Sequence, residues 1–162
     1  VRHSGDSNSN DANVEISPQE ISADPGATVS FGYSGNAWAR PGAPSNIIGV
    51  VIGVEDKPLS VVYFGIPGVY PGQSFSGSLS FTAPSEAGKY RIFGIVAAQY
   101  TREDAERWYR EHPELRFQLG TLTVEAAPPF QWWILALVGG LGGIIIIGST
   151  IIYNEVVKKH VG

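Results

Sequence analysis

From Trp132 to Tyr153 the chain reads WWILALVGGLGGIIIIGSTIIY, and no charged side chain occurs between Phe130 and Asn154. As a helix, those 22 residues would extend roughly 33 Å, enough to cross a hydrocarbon core. Phe130, Trp132 and Trp133 form an aromatic belt at one end, and Tyr153 stands at the other. Lys158 and Lys159 follow at once. The positive-inside rule assigns a tail over 154–162 to the cytoplasm and residues 1 to about 128 to the outside. A buried core helix is the competing reading. It is disfavoured, because nothing in the remaining sequence has the character of a shell around so apolar a segment. The lipid bilayer is therefore an expected partner, through a membrane helix over 131–153.

Glycines are clustered within that segment. Gly139 and Gly143 form a G-x-x-x-G pair, and Ala136 and Gly140 form a second small pair beside it. Small residues four apart let another helix approach closely. The expectation is a packing face for a second copy of the chain or for a different membrane subunit.

The part before the membrane segment divides into a polar tail over 1–13 (ending SGDSNSNDAN), a domain over 14–126 and a short proline linker over 127–130. The domain carries seven or eight strand-like runs: Val14–Ser17, Thr28–Ser34, Ile47–Val54, Val61–Ile66, Phe75–Thr82, Lys89–Ala98 and Arg116–Glu125. Turn signals such as Pro67-Gly68, Pro71-Gly72 and Pro84 to Gly88 separate most of them. The run IIGVVIGV at 47–54 is apolar almost throughout, as expected of a central strand. Short strands rich in Val, Ile, Phe and Tyr at this spacing predict an all-β fold, an antiparallel β-sandwich of about seven strands. One helix is predicted at about 102–111. Thr101 sits where an N-cap belongs, Glu103 and Asp104 lie in the first turn, and Pro113 follows the end. Trp108 or Tyr109 would anchor it. Glu103–Arg107 and Glu106–Arg110 are expected i, i+4 pairs on a solvated face.

Phe81-Thr-Ala-Pro84 through Gly88-Lys-Tyr90 resembles the E–F corner of immunoglobulin-like surface domains of prokaryotes. Ile16-Ser-Pro18…Asp24-Pro-Gly26-Ala-Thr-Val29 resembles the A–B region of the same class. The resemblance covers residues 14–125 and implies a fold without an activity. It makes the helix an insertion between the last two strands, at the end of the domain away from the membrane. The loop Gly35–Asn46 would lie there too. That end would offer Trp38, Arg40, Arg107, Trp108 and Arg110 as an interaction surface, since aromatic and Arg side chains dominate hot spots. The alternative for both Trp residues is a place in the core.

The C-terminal half also resembles a cupredoxin, through its Pro–Gly–Tyr corner and a last strand Gly120-Thr-Leu122-Thr-Val124. Blue copper requires a Cys thiolate, two His and usually an axial Met. The chain has no Cys and no Met, and Gly94 stands near where the thiolate is expected. No cofactor and no metal site are expected. His3, His112 and His160 are too scattered for zinc. Asp6-Ser-Asn8-Ser-Asn10-Asp11 begins like a calcium loop but lacks the turn glycine and places Ser17 where a bidentate Glu belongs.

No G-x-S-x-G, H-E-x-x-H or P-loop sequence occurs, so no catalytic residue is assigned. Nucleic acid is disfavoured, because residues 1–130 hold 9 basic and 14 acidic residues. The chain opens at Val1 without an initiator Met, as a processed mature chain would. The lack of sulfur, with seven Arg to four Lys, suits a hot or oxidising habitat such as that of many archaea. The expected role is a non-catalytic, membrane-anchored module outside the cell, a structural or accessory subunit of a surface assembly. The alternative is capture of a ligand or peptide by the distal loops.

Overall fold

The computed structural model describes residues 3–4, 10–39, 47–69 and 71–126. Among these residues the fold is mostly β, with two sheets and one short helix. The strands are β1 (His3–Ser4), β2 (Asn10–Ser17), β3 (Glu20–Ala23), β4 (Thr28–Ala39), β5 (Ile48–Val54), β6 (Lys57–Gly65), β7 (Gln73–Thr82), β8 (Gly88–Ala97) and β9 (Phe117–Val124). Helix α1 (Arg102–Glu111) and a 3₁₀ turn at Pro113–Leu115 lie between β8 and β9. Four strands form one sheet in the order β1-β2-β4-β7, and five form the other in the order β3-β9-β8-β5-β6.

Alternation decides which side chains go inside. Along β2, Ala12, Val14 and Ile16 are buried, while Glu15 and Ser17 are exposed. Along β4, Val29, Phe31 and Ala37 face inward. These join Ile48, Val50 and Ile52 of β5 and Leu122 of β9 in one cluster fed by both sheets. Phe31 and Phe81 meet edge to face within it, with centroids 6.1 Å apart.

Every residue of β5 is buried, so this strand has two covered faces. Its even positions enter the shared core. Val51, on the other face, enters a second cluster with Val61, Ile95, Ala105 and Tyr109. That second cluster is the seat of α1. Gly49 and Gly53 make the seat possible. A Cβ on Gly49 would lie 3.0 Å from the Ala105 Cβ, and one on Gly53 would lie 2.5 Å from the Tyr109 ring. Ala105 and Tyr109, one turn apart on α1, occupy the room left by two glycines that flank Val51 on the same face of β5.

Several expectations change here. The polar segment before Val14 is partly ordered as strand: β2 begins at Asn10, and Ala12 is fully buried. The inward positions of β2 already begin at Ala12, under a composition that reads as a tail, and Asp11 beside it is buried as well. β3 adds a strand that the alternation did not reveal, and it pairs parallel with β9, so the second sheet is not purely antiparallel. Helix α1 crosses the outer face of the five-stranded sheet, touching β5, β6 and β8, and does not cap one end of the domain. The cause is the glycine-lined face of β5.

If the two glycines are what admit the helix, Gly53→Ala will destabilise the domain by about 1–3 kcal/mol, the usual cost of overpacking. Thermal melting of the full chain, followed by near-ultraviolet circular dichroism, should show the loss. An unchanged midpoint would mean that α1 is not seated on β5.

Candidate interaction surfaces

Two faces of the domain differ sharply in chemistry. The first is the helix-covered face. Thr101 caps α1 by accepting a 3.0 Å hydrogen bond from the Asp104 amide. Arg102 reaches down to donate to the Val61 carbonyl at 2.9 Å and lies over the Phe64 ring. Arg107 pairs with Asp104, three residues back, in place of the expected Glu103. The pair is largely exposed and contributes little to stability.

The far end of the helix is held by Arg116, whose side chain is only 4% exposed. Its Nε donates to the Tyr109 carbonyl at 2.8 Å and its Nη2 to the Arg110 carbonyl at 3.3 Å. Its Nη1 donates to the Glu55 carbonyl at 3.1 Å and to the Asp56 carboxylate at 2.7 Å. The guanidinium also stacks 4.4 Å from the Tyr109 ring centroid. The Tyr109 hydroxyl donates to the same Glu55 carbonyl at 2.7 Å. Helix C-terminus, β9 and the β5–β6 turn thus meet on one side chain. Burial pushes the Tyr109 phenol well above its ordinary range and outweighs the opposing pull of the Arg116 charge. The hydroxyl therefore stays a donor throughout the physiological range.

Glu55 begins the two-residue turn between β5 and β6 with φ +47°, a conformation usually left to glycine in tight hairpins. Its side chain gives a reason for its presence. The Glu55 carboxylate accepts from the Arg91 amide at 2.7 Å and from the Arg91 guanidinium at 3.1 Å. Burial raises the Glu55 pKa, but the side-chain and backbone hydrogen bonds from Arg91 and its charge outweigh that and hold it below the ordinary value.

The second face is the outer side of the four-stranded sheet. Strands β4 and β7, of 12 and 10 residues, contain no charged side chain, in a chain with 11 basic and 15 acidic residues. Their register places Thr28 opposite Thr82, Ser30 opposite Ser80, Ser34 opposite Ser76 and Asn36 opposite Ser74, all on the side away from the core. Ser30 and Ser80 share a 2.6 Å hydrogen bond, and Ser74 donates to the Asn36 side-chain oxygen at 2.6 Å. The Asn36 amide donates to the Asn13 side-chain oxygen at 2.7 Å. A shallow depression of about 350 Å³ opens here, among Asn13, Glu15, Asn36, Ser74 and Ser76.

Trp38, expected in a loop with the interaction surface and the core as alternatives, lies within β4 and is 6% exposed, in keeping with the core alternative. The strand runs five residues beyond its predicted end at Ser34 and takes Trp38 with it. Gly72 packs against its Cβ, and the Ala39 amide donates to the Gly68 carbonyl at 2.9 Å, so the segment after β6 closes over this end. Trp108 is half-buried against the second cluster and stacks on His112 with centroids 3.7 Å apart; its indole nitrogen is buried and makes no hydrogen bond. Arg107 and Arg110 ride on α1, across the outer face of the five-stranded sheet. Of the expected distal surface, Trp38 therefore lies in β4 while Arg107, Trp108 and Arg110 lie on α1. Arg40, the interfacial Phe130, Trp132, Trp133, Tyr153, Lys158 and Lys159, and the small residues Ala136, Gly139, Gly140 and Gly143 lie outside the described residues. Among the described residues, no helix is long and apolar enough to cross a membrane. The serine ladder was the surface missed in the sequence; its signal is the period-two Ser74-x-Ser76-x-Ser78-x-Ser80.

No protein-family model and no curated protein matches the chain.

Two measurements check the electrostatics. Arg116→Ala should cost about 2–3 kcal/mol, because it strips charged donors from three carbonyls; Asp56, 91% exposed, adds little to that loss. A change below about 0.5 kcal/mol in denaturant titration would mean that Arg116 does not hold the helix end. Glu55 has a lowered folded-state pKa, so its contribution is present above the ordinary value of 4.5 and is lost as pH falls through the lower folded value. Glu55→Gln should thus melt earlier than the parent at neutral pH, with the gap closing in acid. A gap independent of pH would contradict the Arg91 pairing.

Proposed function

We propose that this chain is a non-catalytic structural or accessory subunit of a membrane-associated surface assembly, held by a single C-terminal helix with its β domain outside the cell. The observation that carries the reading is the pair of neutral strands β4 and β7 on an otherwise acidic molecule. Charge keeps soluble proteins apart, and an uncharged pair of strands with partly satisfied hydroxyls is a place where a neighbour can approach without burying a lone charge. The apolar segment 131–153, with its glycine pairs, supports a membrane partner, either another subunit or another copy.

We further infer a two-layer β-sandwich of the immunoglobulin-like class, with cupredoxin-like strand order as the alternative. The Tyr90 hydroxyl supports the former. It donates to the Glu86 carbonyl at 2.9 Å, the kind of bond by which a tyrosine fastens an E–F corner. A second functional reading, capture of a small polar ligand, draws on the depression beside Asn36 and Ser74 rather than on Trp38, which is buried.

Extraction of the full chain from its native membrane in mild detergent tests the main proposal. The expected result is a particle heavier than one chain in its micelle, retained through native mass measurement. A strictly monomeric, partnerless chain that sediments with membranes would count against assembly, and a chain released by alkaline carbonate would count against the anchor.

A further inference from the structure

The four terminal strands of the two sheets are protected unequally. β1 has two residues and β3 has four, too short to template much pairing. β6 carries Lys57 and Pro58, has two irregularities in its pairing with β5, and has its Val61 carbonyl taken by Arg102. Each of these devices blunts an edge. β7 has none of them. It runs ten residues with no charge and no proline, pairs with β4 from Thr28–Thr82 to Ala37–Gln73 without a shift, and is exposed at most positions. Among the described residues, nothing pairs with its other side.

We propose that β7 pairs antiparallel with β7 of a second copy of this chain, joining two four-stranded sheets into one. The inference rests on the assembly role proposed above and names its contact. The register follows from what is already engaged. Tyr63 donates to the Gln73 side chain at 2.7 Å and packs on Phe75, so β6 holds the start of the strand. The free stretch is residues 74–82, and its midpoint is Ser78. Antiparallel pairing about Ser78 sets Ser76 opposite Ser80 and Ser74 opposite Thr82 on the outer face. On the other face it sets Phe75 opposite Phe81 and Gly77 opposite Leu79. Both faces of the sheet continue with like chemistry across the junction, and no like charges meet. A two-fold axis closes the contact, so it yields a dimer and not an open fibre. The neutral face of β4 and β7 is the approach on which two copies of an acidic molecule repel least.

The chain has no cysteine, so a single introduced thiol reports the contact alone. Ser78→Cys in the full chain, in native membranes and in mild detergent, should oxidise rapidly to a disulfide-linked dimer of this chain that reductant reverses. Ser30→Cys, one strand further in on the same face, should not. Ser78→Lys should abolish the dimer without lowering the melting temperature, and mixing it with Ser78→Glu should restore association. If Ser78→Cys links no faster than Ser30→Cys while the protein remains in a larger particle, the β7 contact is overturned and the assembly role stands. If the parent is monomeric at every concentration in both settings, both fail. A link from Cys at position 78 to a different polypeptide would overturn self-pairing in favour of strand addition by another protein.

Discussion

The burial of β5 on both faces is the constraint on which the rest of the structure depends. A strand apolar on both sides must be covered twice. Its Ile48, Val50 and Ile52 take one cover from the four-stranded sheet. The opposite face, thinned by Gly49 and Gly53, takes the other from α1. The insertion between β8 and β9 is therefore part of the core. Arg116 completes it by joining the helix end, β9 and the β5–β6 turn at a single nearly buried guanidinium.

This division leaves the two sheets unequal. The five-stranded sheet spends its outer face on a helix whose solvent side is crowded with charge. Over β4 and β7 the four-stranded sheet keeps an outer face of Ser, Thr and Asn, whose hydroxyls and amides are partly satisfied by one another, as at Ser30–Ser80 and Ser74–Asn36, with Glu15 of β2 at its margin. Charges of the domain lie elsewhere: on α1, in the β5–β6 turn and on other strands, including Asp11 and Glu15 of the neighbouring β2. The neutral strands β4 and β7, bounded by a long edge that nothing blunts among the described residues, are the physical basis of the proposed assembly role.

Much of this was legible in the residues. The apolar run of β5 announced a central strand, and Thr101 with its acidic first turn and Pro113 bounded the helix to the residue. The runs at Thr28–Ser34, Phe75–Thr82 and Arg116–Glu125 marked β4, β7 and β9. What could not be read was how elements meet. IIGVVIGV reads as a strand with two weak points, and only the approach of Ala105 and Tyr109 turns Gly49 and Gly53 into a socket. Trp38 followed glycine and asparagine and resembled loop, yet the strand continued because β2 extended beside it, with Asp11 opposite Trp38 and Asn10 opposite Ala39. β3 is four residues paired parallel to a strand whose partners, from Glu20–Thr121 to Ala23–Val124, lie far along the chain, a contact with no local signature. The serine ladder was visible as a period-two pattern, but its lack of protection on one side belongs to strand order, which alternation does not specify.

The central claim is that the backbone edge of β7 is a contact made by the intact protein. Hydrogen exchange of the full chain, resolved over residues 73–82 and followed from dilute to concentrated protein, tests it most directly. The account predicts that amides of β7 facing away from β4 exchange freely when dilute and become protected as association proceeds, while amides paired with β4 stay protected throughout. Free exchange at those edge amides in protein that is already associated would contradict it.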